Sequence, residues 1–124
     1  MIATDHDPTD ARRLRDAFGA FATGVTVVTA IGVDGTRVGL TANSLTSVSL
    51  DPPLLLFCPA RSASALPTLR ASRRFAVNVL ASDQAAVADR FARRGVDRFA
   101  GAVWDDLAGL PVLGNRTRLA IPLY

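Results

Sequence analysis

The sequence is poor in the side chains that most enzymes use for acid–base, nucleophilic or metal chemistry. Its 124 residues contain one cysteine, Cys58, and one histidine, His6. A single cysteine excludes an internal disulfide and a thiolate metal cluster, which suits a reducing cytoplasm. A single histidine, in a polar N-terminal segment, excludes a Ser-His-Asp triad of the usual kind and a metal site of the His/Cys type. We therefore expect no metal, and a cofactor that carries the reactivity.

Two further absences narrow the class of partner. No apolar run is long enough to span a bilayer, and the N-terminus does not resemble a signal peptide, so no membrane partner is expected. Aromatic residues make up only 6% of the chain, and 14 basic residues, all arginine, are spread among 11 acidic ones. That pattern gives nucleic-acid binding little support. With 49% apolar residues, the chain predicts one folded domain over residues 10–124 after a flexible tail at residues 1–9.

The apolar pattern is typical of a mainly β, barrel-like α+β domain. Strands are predicted at residues 25–31, 37–41, 43–50, 54–58, 75–80, 111–113 and 116–121, with a hairpin turn at Asp34-Gly35 and a loop over 95–110. Helices are predicted over residues 10–22, from the 59–64 loop to about residue 71, and over 83–93. Leu14, Phe18 and Phe21 form one face of the first helix; Val87 and Phe91 are expected to be buried by the last.

Residues 39–58 are rich in small polar side chains. Thr41, Asn43, Ser44, Thr46, Ser47 and Ser49 precede an Asp-Pro-Pro corner and an apolar run at 54–57, which reads as a strand buried on both faces. Small residues let a flat ligand approach the backbone, and hydroxyl or amide groups can bond its heteroatoms. The alternative is a strand pair of a β-barrel whose serines and threonines face solvent. Cys58, at the end of the apolar run, is expected to be a buried, inert thiol.

The next segment has the composition of a phosphate site. Arg61, Ser62 and Ser64 precede a predicted short helix, whose free N–H groups and dipole would favour an anion. The alternative is plain capping of that helix by Ser62 or Ser64, as Ser82 is expected to cap the later one.

Taken together, these segments resemble the flavin reductase family, which includes the reductase components of two-component flavin monooxygenases. The matching stretches are FATGVTVVT at 21–29, residues 39–57 and 61–72, RFAVNVL at 74–80, DRFA at 89–92, DRFAG at 97–101 and GLPVL at 109–113. The resemblance implies an FMN-binding split β-barrel and a cytoplasmic NAD(P)H-dependent flavin reductase. Such an enzyme would use FMN, or FAD, with NADH or NADPH as reductant, and would supply reduced flavin to a monooxygenase partner.

The resemblance also implies roles for individual residues. Thr41, Ala42, Asn43 and Ser44 would meet the isoalloxazine edge and the ribityl chain, and Ser47 and Cys58 would line the same pocket. Arg61, Ser62 and Ser64 would hold the phosphate. Phe91 and Arg98 match the DRFA and DRFAG motifs, where structural packing is an equally good explanation.

The sequence departs from the family after residue 113. Family members continue into more strands, including an Asp-His type motif associated with the nicotinamide side of the site, whereas this sequence ends at Tyr124. We therefore expect a split barrel shortened at the C-terminus and a homodimer whose interface completes the flavin site. The partner would also cover an apolar patch formed by Leu110, Val112, Leu113, Leu119 and Ile121. The alternatives are a non-catalytic FMN-binding split-barrel protein without the nicotinamide subsite, and a structural dimer domain with an empty pocket.

Overall fold

Three antiparallel sheets make up the β structure of the computed structural model, which describes residues 10–101, 103–113 and 118–122. The strands are β1 (Thr26–Ile31), β2 (Arg37–Ala42), β3 (Thr46–Leu50), β4 (Pro53–Leu56), β5 (Arg74–Val79), β6 (Trp104–Leu107), β7 (Leu110–Leu113) and β8 (Arg118–Pro122). Four of them form one sheet in the order β2-β1-β5-β8, and β3-β4 and β6-β7 form two hairpins. The predicted mainly β, α+β class is confirmed, whereas the described strands do not form a closed barrel.

Strand β1, one of the two inner strands of the four-stranded sheet, is buried on both faces. Its β-branched residues Val27, Val28 and Thr29 are fully buried, because one face packs against a helix and the other against β7. The turn from β1 to β2 confirms the predicted hairpin. Gly35 has a φ of 82°, and the Asp34 carboxylate accepts a hydrogen bond from the Thr36 N–H at 3.0 Å. That bond is the main reason why the pKa of Asp34 lies below its usual value.

The β3-β4 hairpin corrects two predictions. Residues 43–45 bend instead of extending β3, so the predicted strand 43–50 begins only at Thr46. The run at 54–57 is not buried on both faces: Leu54 and Leu55 are half-buried, and Leu56 is exposed. A two-stranded ribbon has one face to bury, and in the described chain the other side of this hairpin stays open.

The predicted loop over residues 95–110 also differs, because it contains the strand β6. This strand pairs with β7, and β7 packs against β1 and β5. Leu110, Val112 and Leu113 of β7 are buried there. These three residues therefore do not form the exposed patch that the sequence predicted, because their own chain covers them. Leu119 and Ile121 lie in β8, but their side chains are outside the described part of the structure.

Polar side chains tie β7 to the sheet. Asn78, inside β5 and fully buried, donates from Nδ2 to the Val27 carbonyl at 2.9 Å and accepts at Oδ1 from the Leu113 N–H at 2.8 Å. The buried Thr29 hydroxyl donates to the Pro111 carbonyl. Buried polar groups of this kind are stable only when they are paired, so this network fixes how β7 sits on the sheet.

The three α-helices differ from their predicted bounds, and α2 also differs in its cap. They span Ala11–Gly19 (α1), Leu66–Ser72 (α2) and Ala85–Ala92 (α3). The first ends three residues before the predicted residue 22, which leaves Phe21 outside it and 77% exposed. Ala65 is the N-cap of α2, so capping by Ser62 or Ser64 is wrong; Pro67, without an N–H to satisfy, fits the first turn.

A short 3₁₀ turn, Ser82–Gln84, precedes α3 and replaces the predicted serine cap. Gln84 Oε1 accepts a hydrogen bond from the Ala81 N–H at 2.9 Å. Phe91 of this helix is buried, as predicted, whereas Val87 is only half-buried. Because Phe91 lies in the last turn of α3, it reaches the neighbourhood of β2.

Candidate functional site

A cavity of about 420 Å³ opens beside the end of β2. It has three walls: the end of β2 with the bend that follows it, the loop over residues 58–64, and the end of α3 with the loop behind it. The lining residues are Leu40, Thr41, Ala42, Asn43 and Ser44; Cys58, Pro59, Ala60, Ser62, Ala63 and Ser64; and Phe91, Ala92, Arg94, Gly95 and Arg98. Its volume lies within the range of about 300–1,000 Å³ typical of small-molecule sites.

Two hydroxyl groups hold the walls together. Thr41 Oγ1 donates to the Ala88 carbonyl at 2.6 Å, which joins β2 to α3. Ser44 Oγ accepts from the Cys58 N–H at 2.9 Å, which joins the bend after β2 to the 58–64 loop. These side chains fix the shape of the cavity, whereas Asn43, between them, has an exposed side chain.

Phe91 forms the inner part of the third wall. Phe91 is 1% exposed and makes edge-type contacts with Phe99 and Trp104, with ring centroids 5.2 and 5.5 Å away. It also lies directly against Gly39 of β2, where an added Cβ would come within 2.7 Å of Phe91 Cε1. Only glycine allows this approach, so Gly39 and Phe91 together set the distance between β2 and α3.

Arg98 locks the loop behind α3 onto β2. Its guanidinium donates to the Gly39 carbonyl at 2.6 Å from Nη1, and to the Arg93 carbonyl at 2.9 Å from Nε and 2.7 Å from Nη2. Partial burial, and then the charge of the neighbouring Arg94, lower the pKa of Arg98. Because carbonyl groups occupy its donors, Arg98 holds the wall in place.

Arg94 is the more available cation at the rim. It is exposed, and its only described side-chain hydrogen bond is a long one, 3.4 Å from Nη2 to Ser62 Oγ. The described lining residues include two arginines and no acid, so the cavity favours a ligand that carries negative charge. Ser62 and Ser64, both exposed at the same rim, add hydroxyl donors.

Seven of the nine predicted site residues line this cavity, and two do not. Thr41, Ala42, Asn43, Ser44, Cys58, Ser62 and Ser64 are brought together, as their positions in the sequence suggested. Ser47 lies on β3 and Arg61 in the 58–64 loop; both are exposed and neither is among the lining residues. The expected buried thiol is wrong. Cys58 is exposed because β4 ends at Leu56, which leaves the thiol in the loop at the cavity wall.

Arg94 is the charged lining residue that the sequence did not point to. It stands two residues past the end of α3, next to Arg93 and close to Arg90. Basic residues at the end of a helix have an ordinary explanation, the attraction to the helix dipole, so they carry no functional signal of their own. Only the fold of the 93–98 loop brings Arg94 to the 58–64 loop.

Two absences hold for the described ranges 10–101, 103–113 and 118–122. Within them no group of three His, Cys, Asp or Glu side chains is placed to hold a metal ion. In the same ranges no helix is long and apolar enough to cross a membrane.

The sequence comparisons match this chain to flavin reductases. A family model described as "flavin reductase like domain" matches residues 18–118. A probable flavin reductase from Rhizobium meliloti is 58% identical over 95 residues, which are 77% of this chain and 30% of that protein. The reductase component of a flavin-dependent trigonelline monooxygenase from Acinetobacter baylyi is 54% identical over 93 residues, 75% of this chain and 30% of that protein. The chain thus spans about a third of the length of these curated relatives.

Solved structures agree with the sequence matches. An NADH:FAD oxidoreductase from Streptomyces globisporus, in complex with NAD and FAD fragments, has a TM-score of 0.90 and 41% identity. That match covers 98% of this chain and 74% of the other. The flavin reductase component of a bacterial two-component tryptophan halogenase has a TM-score of 0.85 and 41% identity, over 93% of this chain and 75% of the other.

Proposed function

Because the chain belongs to the flavin reductase-like domain family, we propose that it acts as an NAD(P)H-dependent flavin reductase that supplies reduced FMN or FAD to a monooxygenase partner. The observation that carries this proposal is the cavity at the end of β2, with its small polar walls and its arginine at the rim. The relatives described as monooxygenase reductase components support the choice of partner. A cytoplasmic location stays a prediction that rests on the single cysteine.

The residues present fit a flavin mononucleotide. Such a ligand combines a flat ring system, a hydroxylated chain and a phosphate. The backbone and short side chains around Ala42 and Asn43 leave room for a flat ring, and the Asn43 amide can both donate to and accept from its edge. Ser62, Ser64 and Arg94 lie together at the rim, where hydroxyl groups and a cation suit a phosphate.

The roles of the chain follow from these contacts. When bound, the flavin supplies the hydride chemistry, and the protein contributes binding and orientation. We assign the ring to the wall formed by residues 41–44 and Cys58, and the phosphate to Ser62 and Ser64 with Arg94. Thr41 and Arg98 act by holding the walls, since their polar atoms already bond backbone carbonyls. Contacts from Ser47 and Arg61 stay predictions, which a change of conformation of the β3-β4 hairpin and of the 58–64 loop on binding would have to provide.

The reductase activity has a direct test. Purified protein with NADH and added FMN is expected to consume NADH, followed by its absorbance, and to do so only when the flavin is present. Assays without flavin, and with NADPH in place of NADH, serve as controls and reveal the preferred reductant. If the protein binds FMN but consumes neither NADH nor NADPH above the rate without protein, the reductase proposal is contradicted in favour of a non-catalytic FMN-binding protein.

We also propose that the chain forms a split β-barrel and a homodimer. Support comes from apolar side chains that are exposed to solvent in the described chain, in two places. Phe18 and Phe21, at and beyond the end of α1, are 60% and 77% exposed. On the β3-β4 hairpin, Leu50 is 90% exposed, and Val48 and Leu56 are exposed as well. An isolated two-stranded hairpin is marginally stable in water, so a second copy packed on it would explain its exposed leucines.

Light scattering at micromolar concentration tests the dimer. We expect a mass of twice the 13.1 kDa of the chain, with an interface of about 2,000 Å² or more in total. Leu50→Asp should lower the apparent mass, because it puts a charge into the proposed interface at a position that is exposed in the single chain. Val33→Asp, at an exposed position in the β1-β2 turn, is the matched control. A folded wild-type monomer that binds FMN would overturn the dimer.

A further inference from the structure

A separate cavity, of about 270 Å³, lies between the β6-β7 hairpin and the neighbouring ends of β1 and β2. Its lining residues are Ile31, Arg37, Trp104, Asp105, Asp106, Gly109 and Pro111, and none of them lines the cavity proposed for the flavin. A ligand here would therefore occupy a site of its own. The volume is just below the range of about 300–1,000 Å³ for drug-sized ligands, so it suits a smaller molecule.

Opposite charges come to this cavity from two different elements. Arg37, at the start of β2, is exposed, and its side chain makes no hydrogen bond or ion pair with any residue that the structure describes. On β6, Asp106 accepts a hydrogen bond from the Gly109 N–H at Oδ1, at 3.0 Å, and its Oδ2 makes no described bond. Arg37 and Asp106 thus line one small space without pairing with each other. A molecule that carries both charges can bridge them.

The rest of the lining is aromatic or apolar. Trp104 is half-buried, and its Nε1 donates to the Phe99 carbonyl at 3.3 Å, so the only polar atom of the indole is already bonded. Ile31 is half-buried and Pro111 is buried. An indole beside a carboxylate attracts a cation both through the electrons of the ring and through the opposite charge.

We propose that this cavity binds a small zwitterion that has a carboxylate at one end and a methylated ammonium group at the other. Arg37 would bind the carboxylate, and Asp106 with Trp104 would bind the ammonium group. Methylation matters because an unmethylated ammonium group brings three N–H donors that need acceptors, whereas methyl groups can lie against Trp104 and Ile31. The inference does not depend on the proposed flavin reductase activity, since the two cavities share no lining residue.

Glycine betaine is a suitable probe, and NMR spectroscopy is a suitable readout for weak binding. The chain contains one tryptophan, so its indole N–H gives a single signal that reports on this cavity. We expect the signal to shift in a saturable way, with a Kd on the order of 1 mM. Tetramethylammonium and acetate are the two halves of the probe. Each should bind about fivefold more weakly, because each lacks one of two charged contacts at an exposed site.

Two variants remove one charge each from the cavity. Arg37→Gln should weaken binding of glycine betaine about fivefold and leave that of tetramethylammonium unchanged. Asp106→Asn keeps an oxygen for the Gly109 N–H, and it should weaken both ligands. Arg12→Gln and Asp16→Asn are the matched controls, at exposed positions of α1 outside the cavity, and they should bind as the wild type does. The melting temperature shows that each variant is folded.

The outcomes decide the proposal independently of the flavin site. Weaker binding in both cavity variants, with both α1 variants unchanged, supports the zwitterion site. A shift that does not saturate, an equal Kd in all variants, or halves that bind as tightly as the whole probe would overturn it. Saturating FMN should leave the affinity for glycine betaine unchanged. Displacement of the probe by FMN would assign it to the flavin cavity instead and contradict a second site.

Discussion

Replacement of Arg94 by glutamine is expected to weaken FMN binding about 10- to 100-fold. A charge-assisted hydrogen bond to a phosphate contributes roughly 1.5–3 kcal/mol, and each 1.4 kcal/mol corresponds to a factor of ten. Arg94 is exposed and makes one long hydrogen bond in the described chain, so its removal should leave the fold intact. Calorimetry with FMN measures the loss, and the melting temperature shows whether the variant is folded.

Two controls connect this loss to the phosphate. Riboflavin has the same ring and chain without the phosphate, so Arg94→Gln should leave riboflavin affinity within about twofold of the wild type. Arg61→Gln removes the arginine that the sequence favoured, and it should cost less than Arg94→Gln, since Arg61 is not among the lining residues. A larger loss of FMN affinity for Arg61→Gln than for Arg94→Gln would assign the phosphate to Arg61 and contradict the assignment made from the structure.

The largest effect on stability is expected for Asn78→Leu, about 2–4 kcal/mol in the free energy of unfolding. Leucine is similar in size, but it cannot accept from the Leu113 N–H or donate to the Val27 carbonyl. The Leu113 N–H, in a fully buried strand, would lose its described partner, and an unpaired buried group costs about 1–3 kcal/mol. Denaturant unfolding measures the difference in free energy directly.

The same substitution at Asn43 provides a matched control. Asn43 is exposed at the cavity, so Asn43→Leu should change the free energy of unfolding by less than about 0.5 kcal/mol while it weakens FMN binding. Each asparagine is thus assigned one property, stability for Asn78 and ligand affinity for Asn43. The assignment is wrong if Asn43→Leu unfolds the protein, or if Asn78→Leu has the stability of the wild type.

The sequence predicted the small polar residues of the cavity better than its exposed arginine. Residues 41–44 and the serines at 62 and 64 stood out because small polar side chains are concentrated there, and a composition of this kind is visible without any knowledge of the fold. Arg94 reaches Ser62, 32 positions away in the chain, and Gly39 contacts Phe91, about 50 positions away. Neither segment contains a local sequence pattern that predicts such a contact.

The strands show the same division between local and long-range information. β1, β2 and β5 were predicted nearly to the residue because β-branched runs and a hairpin turn define them locally. β6 was missed because its sequence, Trp-Asp-Asp-Leu, has no β-branched residue, and it forms through its pairing with β7. The exposure of Cys58 was missed because an apolar run does not reveal where its strand ends.

The position of FMN on the protein tests the central claim most directly, and a crystal structure of the protein soaked with FMN would show it. The account predicts the ring against residues 41–44 and Cys58, and the phosphate within hydrogen-bond distance of Ser62, Ser64 and Arg94. It also predicts that Arg98 keeps its bond to the Gly39 carbonyl when the flavin is bound. A flavin outside this cavity, or a phosphate bound away from Arg94 and both serines, would contradict it.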